Sequence, residues 1–357
     1  MNMNKKLHEL AKSPIFFERN RVFRVYKGGA LFNRLFNDPA DDGNYPEEWI
    51  ASSVRALNKI SKGPKEGISK VLNTDIYLDD LITACKEEIL GPSDDIGILV
   101  KALDSAVRLP VQVHPDKPFS RKHFNSEYGK AEAWIILDTR PGSCIYFGFK
   151  EGITKKDLVL AVEKSINEKT AMENLIVKHN VKKGEVYFIP ARAVHAIGYG
   201  CLILEIQEPT DFTIQPEAWC DDYRLNDYEM YMGLDKVTAL SCFDMSICGK
   251  DAIELSKVQP KITSKSDNII IESLIDERKT DCFSVNRISL DADSVVLGQG
   301  PSIYFVTEGS GIVTCEKRTQ LIKKGDYFLL PYCMREKCIL SSKEHMSVIE
   351  CFKGGNS

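Results

Sequence analysis

Two histidines, a glutamate and a glutamine fall where they would suit a single metal ion: Gln112, His114, Glu132 and His195. Gln112 and His114 come from the run VQVHPDK, residues 111 to 117, and side chains two apart on a strand project to the same face. Glu132 opens a second strand-like run, EAWIIL. His195 follows KKGEVYFIPARAVHAI, which reads as strand, turn and strand. Two imidazoles, a carboxylate and an amide oxygen make a mixed nitrogen and oxygen set suited to zinc and its divalent neighbours. Such a set still leaves room for water or substrate, as a catalytic site needs. A lone histidine on an apolar strand is ordinarily a core or surface residue. Here HPDK, the K-A-E of Lys130 to Glu132, and IPARAVHAIG occur together, which makes chance a poor explanation.

The elements that must position these residues are mostly strands. FRVYKGG, EAWIILD, SCIYFGF, CLILEIQ, FSVNRISL and IYFVTEG are rich in β-branched and aromatic residues and bounded by Gly, Pro or Asp. Two stretches break the pattern. Residues 74 to 90 carry apolar residues at helical spacing and end at Gly91-Pro92, and residues 153 to 179 do likewise, with Thr154 as N-cap. The chain also repeats itself: VKKGEVYFIP (181 to 190) returns as IKKGDYFLLP (322 to 331). In both copies a glycine turn feeds an apolar strand that stops at proline, which lacks the N–H a ladder needs. Five residues past Pro190 is His195, but five past Pro331 is Glu336, and no Gln-x-His precedes it. The reading is therefore a mainly β chain of two sandwich-like barrels, with helical insertions and one metal ion in the first. The boundary falls in the polar stretch near 240 to 265, giving domains 1–245 and 246–357.

Length and composition exclude several classes. At 357 residues the chain can bury two sizeable cores. A net charge of −4, from 47 basic and 51 acidic residues, gives no basic face for nucleic acid. No apolar run approaches the roughly 20 residues of a membrane span. The first residues lack a secretory signal's apolar stretch, so a cytoplasmic protein is expected. Eleven cysteines with no CxxC pair read as reduced, structural thiols rather than a disulfide framework. No GxGxxG or P-loop pattern suggests a nucleotide cofactor. Nothing points to an obligate assembly, so a monomer or weak homo-oligomer is expected.

Taken together, RVYKGGALFNRLF, YPEEWIASS, VQVHPDK, YGKAEAW and FIPARAVHAIGYGCLILEIQEPTDFT resemble the type I mannose-6-phosphate isomerases of the cupin superfamily. The resemblance covers most of residues 20 to 225, and the C-terminal repeat fits that family's second, metal-free cupin. It implies two cupin-type jelly-roll barrels, one Zn2+ per chain held by Gln112, His114, Glu132 and His195, and a sugar-phosphate substrate. It further implies that Lys130 faces the substrate, that Asp211 lies at the rim, and that Lys117 lies near the substrate. The implied reaction interconverts mannose 6-phosphate and fructose 6-phosphate through an enediol. The ion would act as Lewis acid and a nonligand group, Lys130 or Asp211 rather than His114, would carry the proton. Lys117, Arg121 and Lys122 would supply cations for the phosphate.

Two positions depart from the family pattern. Gln215 stands where members commonly carry Arg, and Pro110 where they carry Ser. Arg192, with Arg108 and Arg224 as further candidates, could return a positive charge to the cleft. These departures leave a second reading open, a non-catalytic sugar-phosphate binder or regulator derived from the isomerase. A third, a metal cupin such as an iron oxygenase, fits poorly with a Gln ligand and Lys130.

Overall fold

Many strands of this sequence are apolar at consecutive positions rather than alternate ones, and burial on both faces explains it. Trp134 and Ile136 point into a core shared with Ile145, Phe147 and Ile197, while Ala133 and Ile135 point the other way, into a core shared with Ile303 and Phe305. Each of the large side chains among them contributes roughly 1.5–3 kcal/mol by leaving water. The structure, a computed structural model, describes residues 3–58, 63–316 and 318–355. It is mainly β, and its paired strands are antiparallel.

Two seven-stranded sheets dominate and share one strand order. Sheet I runs Lys257–Val258, Val186–Ile189, Glu132–Thr139, Cys201–Gln207, Leu99–Asp104, Glu47–Ile50 and Arg21–Val22. Sheet II runs Ile15–Phe16, Tyr327–Leu330, Ser302–Glu308, His345–Lys353, Phe283–Asp291, Ile269–Ile275 and Lys261–Lys265. The sheets share one core on their facing sides. On its other side sheet I packs on the three strands Ile176–Asn180, Cys144–Phe149 and His195–Ile197. Sheet II packs on a four-stranded sheet that includes Ser310–Cys315 and Cys338–Ser341.

The sequence repeat is a repeated turn. Gly184 and Gly325 take φ of 90° and 86°, which glycine adopts without steric cost. Their N–H groups donate to Ile136 and Val306 at 2.8 and 2.9 Å. Glu185 and Asp326 each accept the N–H three residues back, at 2.8 and 2.9 Å. Glu132 therefore pairs with Ile189 as Ser302 pairs with Leu330. The second half keeps the scaffold and puts a serine where the first has its carboxylate.

Several expectations change in detail. The helix read at 74–90 is two helices, Leu78–Ala84 and Lys86–Leu90, broken at the non-helical Cys85. Thr154 caps Lys155–Lys164 in a capping box with Asp157, but residues 176–180 are a strand. HPDKPFSRKHF contains a helix, Lys117–Phe124, capped by Asp116 on the Phe119 N–H. Residues 240–265 are a helix, Lys250–Ser256, and two strands rather than a bare linker. The reduced-thiol reading also needs correction. Cys315 and Cys338 lie directly opposite on neighbouring strands and are disulfide-bonded, while nine cysteines are free. A cross-strand pair 23 residues apart leaves no motif in the sequence. Among the described residues, no helix is long and apolar enough to cross a membrane.

Candidate metal centre and active site

Three side chains meet on the inner face of sheet I. Glu132 begins the third of the seven strands in the order given. His195 begins a strand of the small sheet opposite, and Gln112 bridges to it by reciprocal backbone bonds of 2.9 and 3.0 Å. Residues 111–114 form only isolated bridges, not the full strand expected, yet the two-residue alternation holds and His114 joins the group. Its Nε2 lies 3.2 Å from His195 Nε2 and 3.2 Å from Glu132 Oε2, and His195 Nε2 is 3.4 Å from Glu132 Oε1. Metal bonds of about 2.0–2.1 Å at tetrahedral angles separate neighbouring donors by roughly 3.3 Å. The Gln112 amide lies 3.3 Å from His195 Nε2, and a half-turn presents its oxygen there.

The outer contacts fix the ligand atoms. His114 Nδ1 faces the Phe212 carbonyl at 2.8 Å and His195 Nδ1 faces the Ala193 carbonyl at 2.9 Å. Each carbonyl accepts the Nδ1 proton, so both Nε2 atoms turn lone pairs toward one another and toward a carboxylate. A metal ion suits that arrangement, which Lys130 Nζ and the Gln112 amide also face at 2.7 and 3.3 Å from the two Nε2 atoms. Burial, with the Lys130 charge, lowers His114 to about 3, and burial lowers His195 as well, so both stay neutral donors. Burial alone would raise Glu132, but Lys130 and the imidazoles hold its carboxyl well below the usual range. Lys130 Nζ sits 2.9 Å from Glu132 Oε2 and 2.7 Å from His114 Nε2. His114, Glu132 and His195 are thus a buried group able to hold a metal ion.

A cleft of about 130 Å³ opens beside this group, lined by Arg24, Glu47, Lys101, Lys130, Glu205 and Asp211 among others. Lys101 Nζ reaches Glu205 Oε1 at 3.2 Å, and Trp134 Nε1 donates to the other oxygen at 3.2 Å. Burial pushes the Glu205 carboxyl up, and the Glu132 carboxylate pushes it further. A carboxyl displaced upward beside a group of metal-ligand type holds a proton more readily than an ordinary one. A larger groove between the two big sheets lacks such features. Three of its cations are paired: Lys183 with Glu308, Arg287 with Glu272 and Arg34 with Asp138.

The other expected site residues divide. Lys130 and Asp211 border the cleft, as does Gln215, whose amide donates to the Glu229 carbonyl at 3.2 Å. Asp211 is firmly held, accepting from Arg24 and from the Leu57 N–H at 2.8 Å. Arg192 turns elsewhere, onto the Ser241 and Cys242 carbonyls, while its N–H holds the His114 carbonyl at 2.7 Å. Arg108 is neutralised by Glu217 and Glu173, and Arg224 lies exposed against Trp219. Lys117 reaches Asp281 and Arg121 reaches Glu127; neither these nor Lys122 line the cleft. Arg24, Glu47, Lys101 and Glu205 escaped the sequence reading. Lys101 and Glu205 had a signal, each a charge inside an otherwise apolar strand, LVKALD and CLILEIQ.

Fold and buried group together define an antiparallel β-protein with a His/Glu/His site of metal-binding type. No family model matches the chain. Mannose-6-phosphate isomerase ManA of Bacillus subtilis (strain 168) is 31% identical over 345 residues, covering 93% of this chain and 99% of that protein. A mannose-6-phosphate isomerase of Streptococcus mutans is 24% identical over 89% of this chain and 92% of its own length. The crystal structure of the mannose 6-phosphate isomerase from Bacillus subtilis superposes with a TM-score of 0.74 at 25% identity, over 95% of this chain and 99% of that one. This chain belongs to the type I mannose-6-phosphate isomerase family.

Proposed function

We propose that this protein is a zinc-dependent aldose–ketose isomerase interconverting mannose 6-phosphate and fructose 6-phosphate through an enediol. One observation carries the reading: two imidazole lone pairs and a carboxylate converge at 3.2 to 3.4 Å beside a cleft in a chain of this family. Gln112, His114, Glu132 and His195 would hold the ion. When bound, it supplies Lewis acidity toward the sugar oxygens. Lys130 Nζ, beside that group, donates to the same oxygens and orients the sugar. Arg24 and the Leu57 N–H hold the Asp211 carboxylate at the rim, where it fixes the substrate's position. The proton moves on a nonligand group, with Lys130, Asp211 and the raised Glu205 carboxyl in reach of the cleft.

The chain is read as two cupin-type units, 1–245 and 246–357, supported by the shared strand order of the two large sheets. Each lends the other an edge strand: Ile15–Phe16 completes sheet II and Lys257–Val258 completes sheet I. A coupled assay with mannose 6-phosphate, on protein of measured metal content, tests the activity. Gln215 at the cleft favours a second reading, a non-catalytic sugar-phosphate binder, which the same assay separates by binding without turnover.

A further inference from the structure

A second group of metal-ligand type lies away from the cleft, where the N-terminal helix Met3–Ala11 packs on the helices Leu78–Ala84 and Lys86–Leu90. His8, Cys85 and Glu88 bring one ligand atom each within 4.8 Å of the others. His8 Nδ1 is 2.7 Å from Glu88 Oε1 and 3.7 Å from Cys85 Sγ. One ring nitrogen faces two partners that make opposite demands. Protonated, Nδ1 serves Glu88 and offers the thiol no acceptor; unprotonated, it accepts from the thiol and turns a lone pair on a carboxylate oxygen. A cation among the three satisfies all of them. Zinc bonds of about 2.0 Å to nitrogen and 2.3 Å to sulfur separate those donors by roughly 3.5 Å, close to the 3.7 Å between His8 and Cys85, while the 2.7 Å His8–Glu88 hydrogen bond would open by about half an ångström around an ion. Thiolate, imidazole and carboxylate together select a borderline-soft ion over magnesium or calcium.

The fold presents the donors for this. Cys85 is both the last cap of one helix and the first of the next, so its non-helical backbone turns the thiol toward His8 while the residue stays buried. Cys333, the other thiol beside this helix, is engaged by the Ala11 carbonyl at 3.4 Å. The His8 side is 41% exposed and leaves an entry path and a place for a water. We propose that His8, Cys85 and Glu88 form a second, structural site for a zinc-type divalent ion that staples the N-terminal helix to the helical pair 78–90. Because a nine-residue helix is marginal alone, its ordering would depend on the ion.

Cobalt(II) is the probe that tells the two sites apart, since only this one offers a thiolate. Titrating the metal-stripped full chain with Co(II) is expected to fill two equivalents, one of them with a sulfur-to-cobalt charge-transfer band in the near ultraviolet. His8→Ala and Cys85→Ala should each lose that band and that equivalent while the first equivalent and sugar-phosphate turnover persist. The His8 side chain is half-buried where Cys85 is fully buried, so His8→Ala reports even if Cys85→Ala fails to fold. A wild-type titration that ends at one equivalent without the band, or a band that survives in either variant, overturns the proposal.

Discussion

Arg24 and Asp211 stand 187 positions apart in sequence and meet at the rim of the cleft, guanidinium Nη2 lying 3.0 and 3.2 Å from the two carboxylate oxygens. The same guanidinium donates through Nε to Glu47 at 3.0 Å, and all three side chains are nearly closed to solvent. This clamp joins the start of the chain to the segment that follows the Cys201–Gln207 strand.

Removing the clamp should cost both stability and rate. Arg24→Ala strips Asp211 of its ion-pair partner and leaves Glu47 with Lys101 alone, a loss of about 3–5 kcal/mol. With Asp211 free to shift, turnover should fall roughly 10–100-fold. Arg24→Lys keeps the charge but not the planar fork and should fall between the two. Urea midpoints and kcat measured on the three proteins check this. An Arg24→Ala protein as stable as wild type would show that the pair is incidental.

Acid should draw on Glu47. Burial alone would raise its carboxyl, but Arg24 and Lys101 hold it well below its ordinary value of 4.5. A carboxyl depressed in the folded state stabilises fully above its unfolded pKa, and the benefit drains as pH falls toward the folded one. Below about pH 4.5 this group should withdraw about 1.4 kcal/mol per pH unit. Glu47→Gln should show a correspondingly shallower decline in unfolding free energy between pH 4.5 and 3. Parallel curves for the two proteins would contradict the assignment.

Gln215 offers a test of catalysis against mere binding. Wild-type protein should turn over mannose 6-phosphate unaided, and Gln215→Arg should change kcat by less than about tenfold, under 1.4 kcal/mol. An inert parent that gains turnover on acquiring the arginine would mark the parent as a binder.

The cross-strand disulfide can be counted. Denatured without reductant, the protein should expose nine reactive thiols, and after reduction eleven. Cys338→Ser should lose about 2–4 kcal/mol of stability. Eleven thiols in both samples would place the two cysteines in the reduced state.

Where sequence and site agree, the reason is local geometry. Gln112 and His114 are two residues apart, and even without a full strand that spacing puts both side chains on His195. The repeated KKG turn was readable because a positive-φ glycine and a proline stop leave marks at fixed positions, and the two large sheets indeed share one order. Long-range pairings left no such marks. Nothing in the sequence near Asp211 announces Arg24, and nothing near Cys315 announces Cys338. Arg192 misled for a related reason: its position beside His195 was legible, but the carbonyls of Ser241 and Cys242 that draw its side chain away were not. The charges of Lys117 to Lys122 looked like a phosphate grip, yet a helix capped by Asp116 carries them along a surface outside the cleft's lining.

The ion is the centre of the account, and metal removal tests it most directly. Protein stripped by chelator and confirmed metal-free should show no interconversion of mannose 6-phosphate and fructose 6-phosphate, and one equivalent of zinc in the cleft should restore it. Glu132→Gln should neither hold that equivalent nor recover activity. Undiminished turnover by the metal-free protein, or none by the zinc-loaded protein, would contradict the account.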